Sequence, residues 1–268
     1  MNNYVEFNGG KIRYRDAGEG PVVVLIHGFL ESLTMWESFV EYLQDSFRVI
    51  TVDLPGHGLS SNYGTDNSMD FMAAAVKEVL DLLYVKKAVV IGHSMGGYVT
   101  VAFARNYPET VSGFGFFHSH AAADSAEAKI NRGRAVKVVE QNHKEFISAF
   151  IPDLFTPENR IKLGKEIADM QTEARRMEKE GIIAALNGMR GRKDGYSLLK
   201  NTNVPVMFII GKQDSRAPMD DIKKQIFMPE NSHVLILEKV AHMGFLEDFQ
   251  QTAGFLKNFA KITTDFYS

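Results

Sequence analysis

The chain has 268 residues, 45% of them hydrophobic, a formal net charge of −3 and no cysteine. Its size suffices for a large buried core in one or two domains. The charge balance offers nucleic acid or an anionic membrane surface no general attraction, and the lack of cysteine excludes disulfides, thiolate zinc sites and a cysteine nucleophile.

The first twenty residues contain no apolar h-region, and no stretch approaches the roughly 18 apolar residues of a membrane span, so a cytoplasmic protein is expected. Residues 4–7 and 11–16 flank Asn8-Gly9-Gly10 and read as a hairpin. Residues 21–27 (PVVVLIH) and 47–53 (FRVITVD) are continuous apolar runs, as expected of strands covered on both faces. Between them, residues 34–43 have helical spacing. A helix is expected over 70–83, a strand over 87–92, a helix over 95–106 that stops before Pro108, and a sixth strand over 111–118. Strand and helix alternate, which implies a mostly parallel sheet with helices on both faces.

After His118 the pattern becomes helical, with helices expected over 125–141, 144–150, 158–179 and 180–190. Strands resume at 204–211 and 232–237, and a final amphipathic helix runs over 244–261. The expected organisation is an α/β core of residues 1–118 and 201–268 with a helical cap, 119–200, inserted after the sixth strand.

The stretch VIGHSMGGY at 90–98 crowds glycines around one serine. Gly92-His93-Ser94-Met95-Gly96 fits G-x-S-x-G between an expected strand and an expected helix, the context of a nucleophile elbow. Such a turn strains the serine backbone, needs small neighbours and lifts the hydroxyl above the strand end. A serine needs a base, and the base needs an orienter. Asp214 follows one expected strand and His242 another, so the chain order is Ser94, Asp214, His242. The backbone N–H of Met95, at a helix start, and that of Phe29, after His27-Gly28, are the candidate oxyanion donors. His27, Asp53 and His57 read as bracing residues.

HGF at 27–29, DLPGHGLS at 53–60, GHSMGG at 92–97, GKQD at 211–214 and AHMGFLE at 241–247 together resemble the α/β-hydrolase superfamily over nearly the whole chain. Residues 181–211 resemble the corresponding region of its small bacterial esterase, enol-lactonase and perhydrolase-like members. The resemblance implies Ser94 as nucleophile, His242 as general base and acid, Asp214 as orienter, and Phe29 and Met95 as oxyanion donors. Relatives that act through an alkyl-enzyme ester carry aspartate at the elbow; Ser94 points to acyl chemistry instead.

His118 and His120 stand at i and i+2 on the expected sixth strand, so both should point one way; the plainer reading is that one or both hydrogen-bond the cap, and the alternatives are contact with substrate oxygens or, with a third ligand, a metal, for which no third ligand is evident. Asp124 reads as a helix N-cap. The cap should line an apolar pocket with Phe146, Phe150, Leu154, Phe155, Met170 and Met189, joined by Phe29 and by Met243 or Phe245, while Arg132 or Arg190 could supply a positive charge. The expected activity is hydrolysis of a small-molecule carboxylic ester, thioester or lactone by water, without cofactor or metal, in a chain that could pair as a homodimer. The rivals are carbon–carbon bond hydrolysis or perhydrolysis by the same triad, and a ligand sensor that retains a hydrolase site.

Overall fold

In the computed structural model, which describes residues 3–267, eight strands form one sheet in the order β1-β2-β4-β3-β5-β6-β7-β8. The strands are β1 (Asn3–Phe7), β2 (Gly10–Ala17), β3 (Val22–Ile26), β4 (Arg48–Val52), β5 (Ala88–His93), β6 (Val111–Phe117), β7 (Val206–Gly211) and β8 (Ser232–Leu237). The hairpin β1–β2 and the β2–β4 pair are antiparallel; every pair from β4–β3 to β7–β8 is parallel. The hairpin turns through Asn8 and Gly9, both at positive φ, which asparagine and glycine tolerate best.

Between β3 and β4 lies α1 (Glu37–Leu43), preceded by a 3₁₀ turn, Leu33–Trp36, where a single longer helix is expected. The helices α2 (Met69–Leu82) and α3 (Met95–Asn106) connect β4 to β6 and pack on each other and on the sheet. Ser68 caps α2 by accepting the Phe71 N–H at 3.2 Å. Odd-numbered residues of β6 face the opposite layer: the Phe117 ring meets Phe39 of α1, and a Cβ on Gly113 would strike Thr263 near the chain's end.

Five helices separate β6 from β7: α4 (Ala126–Phe150), α5 (Pro157–Lys162), α6 (Gly164–Ala174), α7 (Lys179–Arg190) and α8 (Tyr196–Asn201). Asn142 breaks α4 with φ −157° and ψ 86°, in the interval between the two helices the sequence separates. The helix expected over 158–179 is divided at Leu163, and α8 is an addition. Two short helices, α9 (Met219–Ile222) and α10 (Gly244–Glu247), precede α11 (Phe249–Tyr267), which packs with α1 against the sheet. The final helix is interrupted at Asp248, where φ is −151°. No helix among the described residues is long and apolar enough to cross a membrane.

The parallel strands all point their carboxyl ends at one rim. Loops from β3, β5, β6, β7 and β8 open there, which is where ligands bind in sheets of this kind.

Candidate active site

Ser94 sits between the end of β5 and the first turn of α3, with φ 50° and ψ −115°. Such a conformation costs a β-carbon residue about 1–3 kcal/mol and must be held by its surroundings. Three contacts hold it: the Ser94 N–H donates to Phe117 O at 3.0 Å, and its carbonyl accepts from Gly97 N–H at 3.0 Å and from Ser119 Oγ at 2.7 Å. The flanking glycines are steric requirements. A Cβ on Gly92 would collide with the backbone of Gly96, and one on Gly96 with the carbonyl oxygens of Ile26 and His27.

His242 approaches from the loop after β8. Its Nε2 lies 2.8 Å from Ser94 Oγ and its Nδ1 2.8 Å from Asp214 Oδ2. The second carboxylate oxygen of Asp214 accepts the Arg216 and Ala217 N–H groups at 2.8 and 3.0 Å. Burial alone would raise the Asp214 pKa, but attraction to His242 and the hydrogen bonds it accepts hold it well below the usual carboxylate value. Asp214 therefore faces His242 as an anion that can only accept, so Nδ1 carries hydrogen and Nε2 of a neutral ring is left to accept the Ser94 proton.

The loop of His242 is anchored on several sides. The His242 N–H donates to Leu154 O at 2.9 Å, and its carbonyl lies 3.0 Å from His93 Nε2. Glu247 accepts the Ala241 N–H through one oxygen and Thr156 N–H and Asn159 Nδ2 through the other. Met95 is the first residue of α3, so its N–H has no intrahelical acceptor. Phe29 lies in the turn after β3, where the preceding Gly28 N–H is taken by Glu31 Oε2 at 2.6 Å.

A cavity of about 420 Å³ opens over Ser94 and His242. Phe29, Phe146, Phe150, Leu154 and Met189 form its apolar wall, with Phe146 and Phe150 stacked at 5.4 Å and Phe29 edge-on to Phe150 at 5.7 Å. Glu31, Tyr98, Asn131, Arg132 and Arg216 add polar groups. The Arg216 guanidinium lies 4.8 Å over the Phe150 ring.

Several expected site residues lie elsewhere. Strand pairing of β6 ends at Phe117, and His118 turns to φ 48°, so the i, i+2 alternation fails and the two histidines do not project together. His118 is fully buried beside the Asp214 carboxylate, its Nδ1 3.4 Å from Oδ2, and neither ring nitrogen makes a hydrogen bond. His120 lies with its ring tilted against that of Tyr98, centroids 5.4 Å apart, and accepts the Ala122 N–H. Burial lowers both histidines to about pKa 4, so they are neutral. Met243 is fully buried, and Phe155, Met170, Phe245 and Arg190 also lie outside the cavity wall. Ser125, not Asp124, caps α4; Asp124 instead pairs with Arg132 at 2.7 Å and with Arg192.

The bracing residues act through their hydrogen bonds. His27 Nε2 accepts the Leu54 N–H at 2.9 Å, leaving Nδ1 to donate to Gly28 O at 2.7 Å. Asp53 receives Arg13 Nε and the N–H groups of Leu33 and Leu59. Glu31, His93, Tyr98 and Arg216 were not marked by sequence reasoning. Glu31 stands among Ser32, Thr34 and Glu37 in the stretch FLESLTMWE, so the sequence does not single it out.

Comparison with known proteins agrees with this architecture. The family model described as alpha/beta hydrolase fold matches residues 21–249. A 2-hydroxy-6-oxononadienedioate/2-hydroxy-6-oxononatrienedioate hydrolase of Paraburkholderia phymatum is 26% identical, over 93% of this chain and 90% of that protein. Among solved structures, a malate-bound thermophilic esterase from Thermogutta terrifontis superposes with a TM-score of 0.92 at 28% identity, covering 98% of this chain and 99% of that one. The enol-lactonase of Burkholderia xenovorans LB400 has the same fold, with a TM-score of 0.89 at 23% identity over 97% of this chain and all of that one. The resemblance carried by the motifs and the match of the family model thus agree: the chain belongs to the alpha/beta hydrolase fold family.

Proposed function

We propose that the chain is a serine hydrolase that cleaves a carboxylic ester, thioester or lactone through an acyl-enzyme on Ser94. One observation carries this reading: the continuous hydrogen-bond chain from Ser94 Oγ through His242 to Asp214 at the floor of the cavity. His242 Nε2 takes the Ser94 proton as Oγ attacks the carbonyl carbon. The oxyanion is stabilised by the Met95 and Phe29 N–H groups, worth about 2.7–4 kcal/mol per donor in comparable sites. Protonated His242 hands its proton to the leaving oxygen or sulfur, and the acyl-enzyme forms. Water, deprotonated by the same nitrogen, then releases the acid. Asp214 stays ionised and stabilises the imidazolium at each step. Residues 119–200 act as a cap whose aromatic wall receives the acyl or alcohol group. The similarity to the Thermogutta esterase supports ester chemistry.

A second reading has its own support. The 6-oxo dienedioate named for the Paraburkholderia relative contains no ester, so its hydrolysis must break a carbon–carbon bond. The same serine and histidine could serve that reaction.

The test is a burst assay with p-nitrophenyl acetate and butyrate on wild type and Ser94→Ala, with mass spectrometry for the acyl adduct. A burst and adduct that vanish in Ser94→Ala are expected. Full activity in Ser94→Ala would sink the serine mechanism. Folded wild type that gives neither burst nor adduct would move the carbon–carbon reading to the front.

A further inference from the structure

Below Ser94, outside the cavity, the ring of His93 is enclosed by two acceptors. Its Nδ1 lies 2.9 Å from Glu31 Oε2 and its Nε2 3.0 Å from the His242 backbone oxygen. A carbonyl oxygen cannot donate, so Nε2 must carry hydrogen. Glu31 Oε2 also takes the Gly28 N–H at 2.6 Å, the short separation of a bond to a carboxylate. A carboxyl is intrinsically about two pH units more acidic than an imidazole, so the proton shared between Oε2 and Nδ1 belongs on the ring. Both partners are buried: His93 is inaccessible and Glu31 is 7% exposed.

We propose that His93 is an imidazolium with Glu31 as its counter-ion, and that this buried pair is the positioning element that holds the turns bearing Phe29, Ser94 and His242 in register. The contacts reach each turn: Glu31 grips Gly28 beside Phe29, His93 precedes Ser94, and the ring holds the carbonyl of His242. The kinetic part of the proposal rests on the serine-hydrolase reading; the charge of His93 does not.

The surrounding groups favour the ion pair. Burial pulls the His93 pKa down, but the charge and hydrogen bond of Glu31, the His242 carbonyl and Asp214 together raise it above the ordinary value. Burial likewise pushes Glu31 up, and His93 with the Gly28 N–H brings it below its ordinary value. The other titratable neighbours are His27 beside Glu31, and His118 and His242, whose rings lie 6.2 and 5.1 Å from that of His93. Burial holds His27 and His118 at about pKa 4, so neither competes for the proton at neutral pH.

The substitution Glu31→Gln is discriminating, because one carboxylate oxygen serves both donors. An amide oxygen in its place still accepts from Gly28 and from Nδ1–H, but the ring loses its counter-ion. The ring then becomes neutral and turns a lone pair on Nε2 toward the His242 carbonyl. The amide nitrogen in that place would oppose the Gly28 N–H.

The experiment is a long-range proton–nitrogen spectrum of 15N-histidine-labelled protein at about pH 8, above the ordinary histidine pKa near 6.5. His93→Gln identifies the signal. The expected result is two similar ring-nitrogen shifts, as in an imidazolium, in wild type, and the widely split pair of a neutral ring in Glu31→Gln. With p-nitrophenyl acetate, Glu31→Gln should lose kcat by on the order of 10- to 100-fold, as a misplacement of about an ångström does, with KM nearly unchanged. A neutral His93 in wild type would overturn the proposal, and so would a folded Glu31→Gln enzyme with wild-type kcat. Retained activity in Ser94→Ala would instead overturn the serine mechanism, and the His93 spectrum tells the two failures apart.

Discussion

Replacing Asp214 with asparagine exchanges one oxygen for an amide nitrogen and should cost roughly three to four orders of magnitude in turnover. The structure dictates which way the amide settles. Two backbone donors, Arg216 N–H and Ala217 N–H, converge on Oδ1, so the amide oxygen takes that place. The NH₂ group then occupies the position of Oδ2 and donates to His242 Nδ1, which accepted no proton before. His242 is forced into the tautomer with hydrogen on Nε2, aimed at Ser94 Oγ, and cannot take the serine proton. Reversing the amide would set NH₂ against two backbone N–H groups, costing roughly 2–6 kcal/mol at 1–3 kcal/mol per unsatisfied donor. At about 1.36 kcal/mol per tenfold, the competent tautomer becomes rarer by between about 30-fold and about 25,000-fold, before the lost stabilisation of the imidazolium is added. The assay is single-turnover acylation by p-nitrophenyl acetate, with thermal melts to show that the variant is folded. A folded Asp214→Asn enzyme that kept more than about a tenth of the wild-type acylation rate would refute the assignment of the tautomer and with it the role of Asp214.

Further outcomes follow from other contacts. His27, His118 and His120 are lowered by burial to about pKa 4 and His57 to about 3, against 6.5 in the unfolded chain. Only the unfolded state gains these protons between the two values, so their contribution is whole above about pH 6.5 and is lost as pH falls toward 4, at roughly 3 kcal/mol for each fully shifted histidine. The melting temperature measured against pH should drop steeply over that interval; a flat profile would show that these rings are not buried neutral. Conversely, the raised pKa of His93 means that its contribution is whole below about pH 6.5 and is lost as pH rises through the folded value, a decline that Glu31→Gln should abolish. Gly244→Ala drives a methyl into His118 Nε2 and should destabilise by about 1–3 kcal/mol in denaturant unfolding. Gly244→Ala combined with His118→Ala should cost less than the two singles together, and strict additivity would refute the contact. Phe150→Ala removes an aromatic side chain from the cavity wall and should shift the kcat/KM optimum of a p-nitrophenyl ester series toward longer acyl chains; an unchanged optimum would place the acyl group elsewhere.

What could be read in the sequence is what chemistry concentrates locally. Runs such as PVVVLIH announce covered strands because both faces must be apolar, and β3 and β4 lie within the two stretches so marked. Ser94, Asp214 and His242 are each tied to a strand end by a few neighbouring residues, so their common rim followed from the alternation of elements. Long-range pairing had no comparable signal. Glu31 and His93 are 62 residues apart, and nothing local distinguishes a buried acid that meets a histidine from one that caps a turn. The prediction for His118 and His120 failed for a related reason. Alternation holds only while a strand continues, and β6 stops one residue before His118, whose N–H bonds Ile209 O while its backbone swings to positive φ. The breaks at Leu163 and Asp248 were equally hidden, because helical periodicity resumes on both sides of each interruption.

The hydrogen bond from the His242 amide to the Leu154 carbonyl, with Glu247 clasping Thr156 and Asn159, gears the imidazole to the helices above it. Leu154 thus has two duties: its side chain lines the cavity, and its carbonyl oxygen fixes the backbone of His242. In the proposed mechanism the wall that meets the substrate and the base that serves Ser94 share one set of hydrogen bonds, so a change in residues 152–159 bears on both.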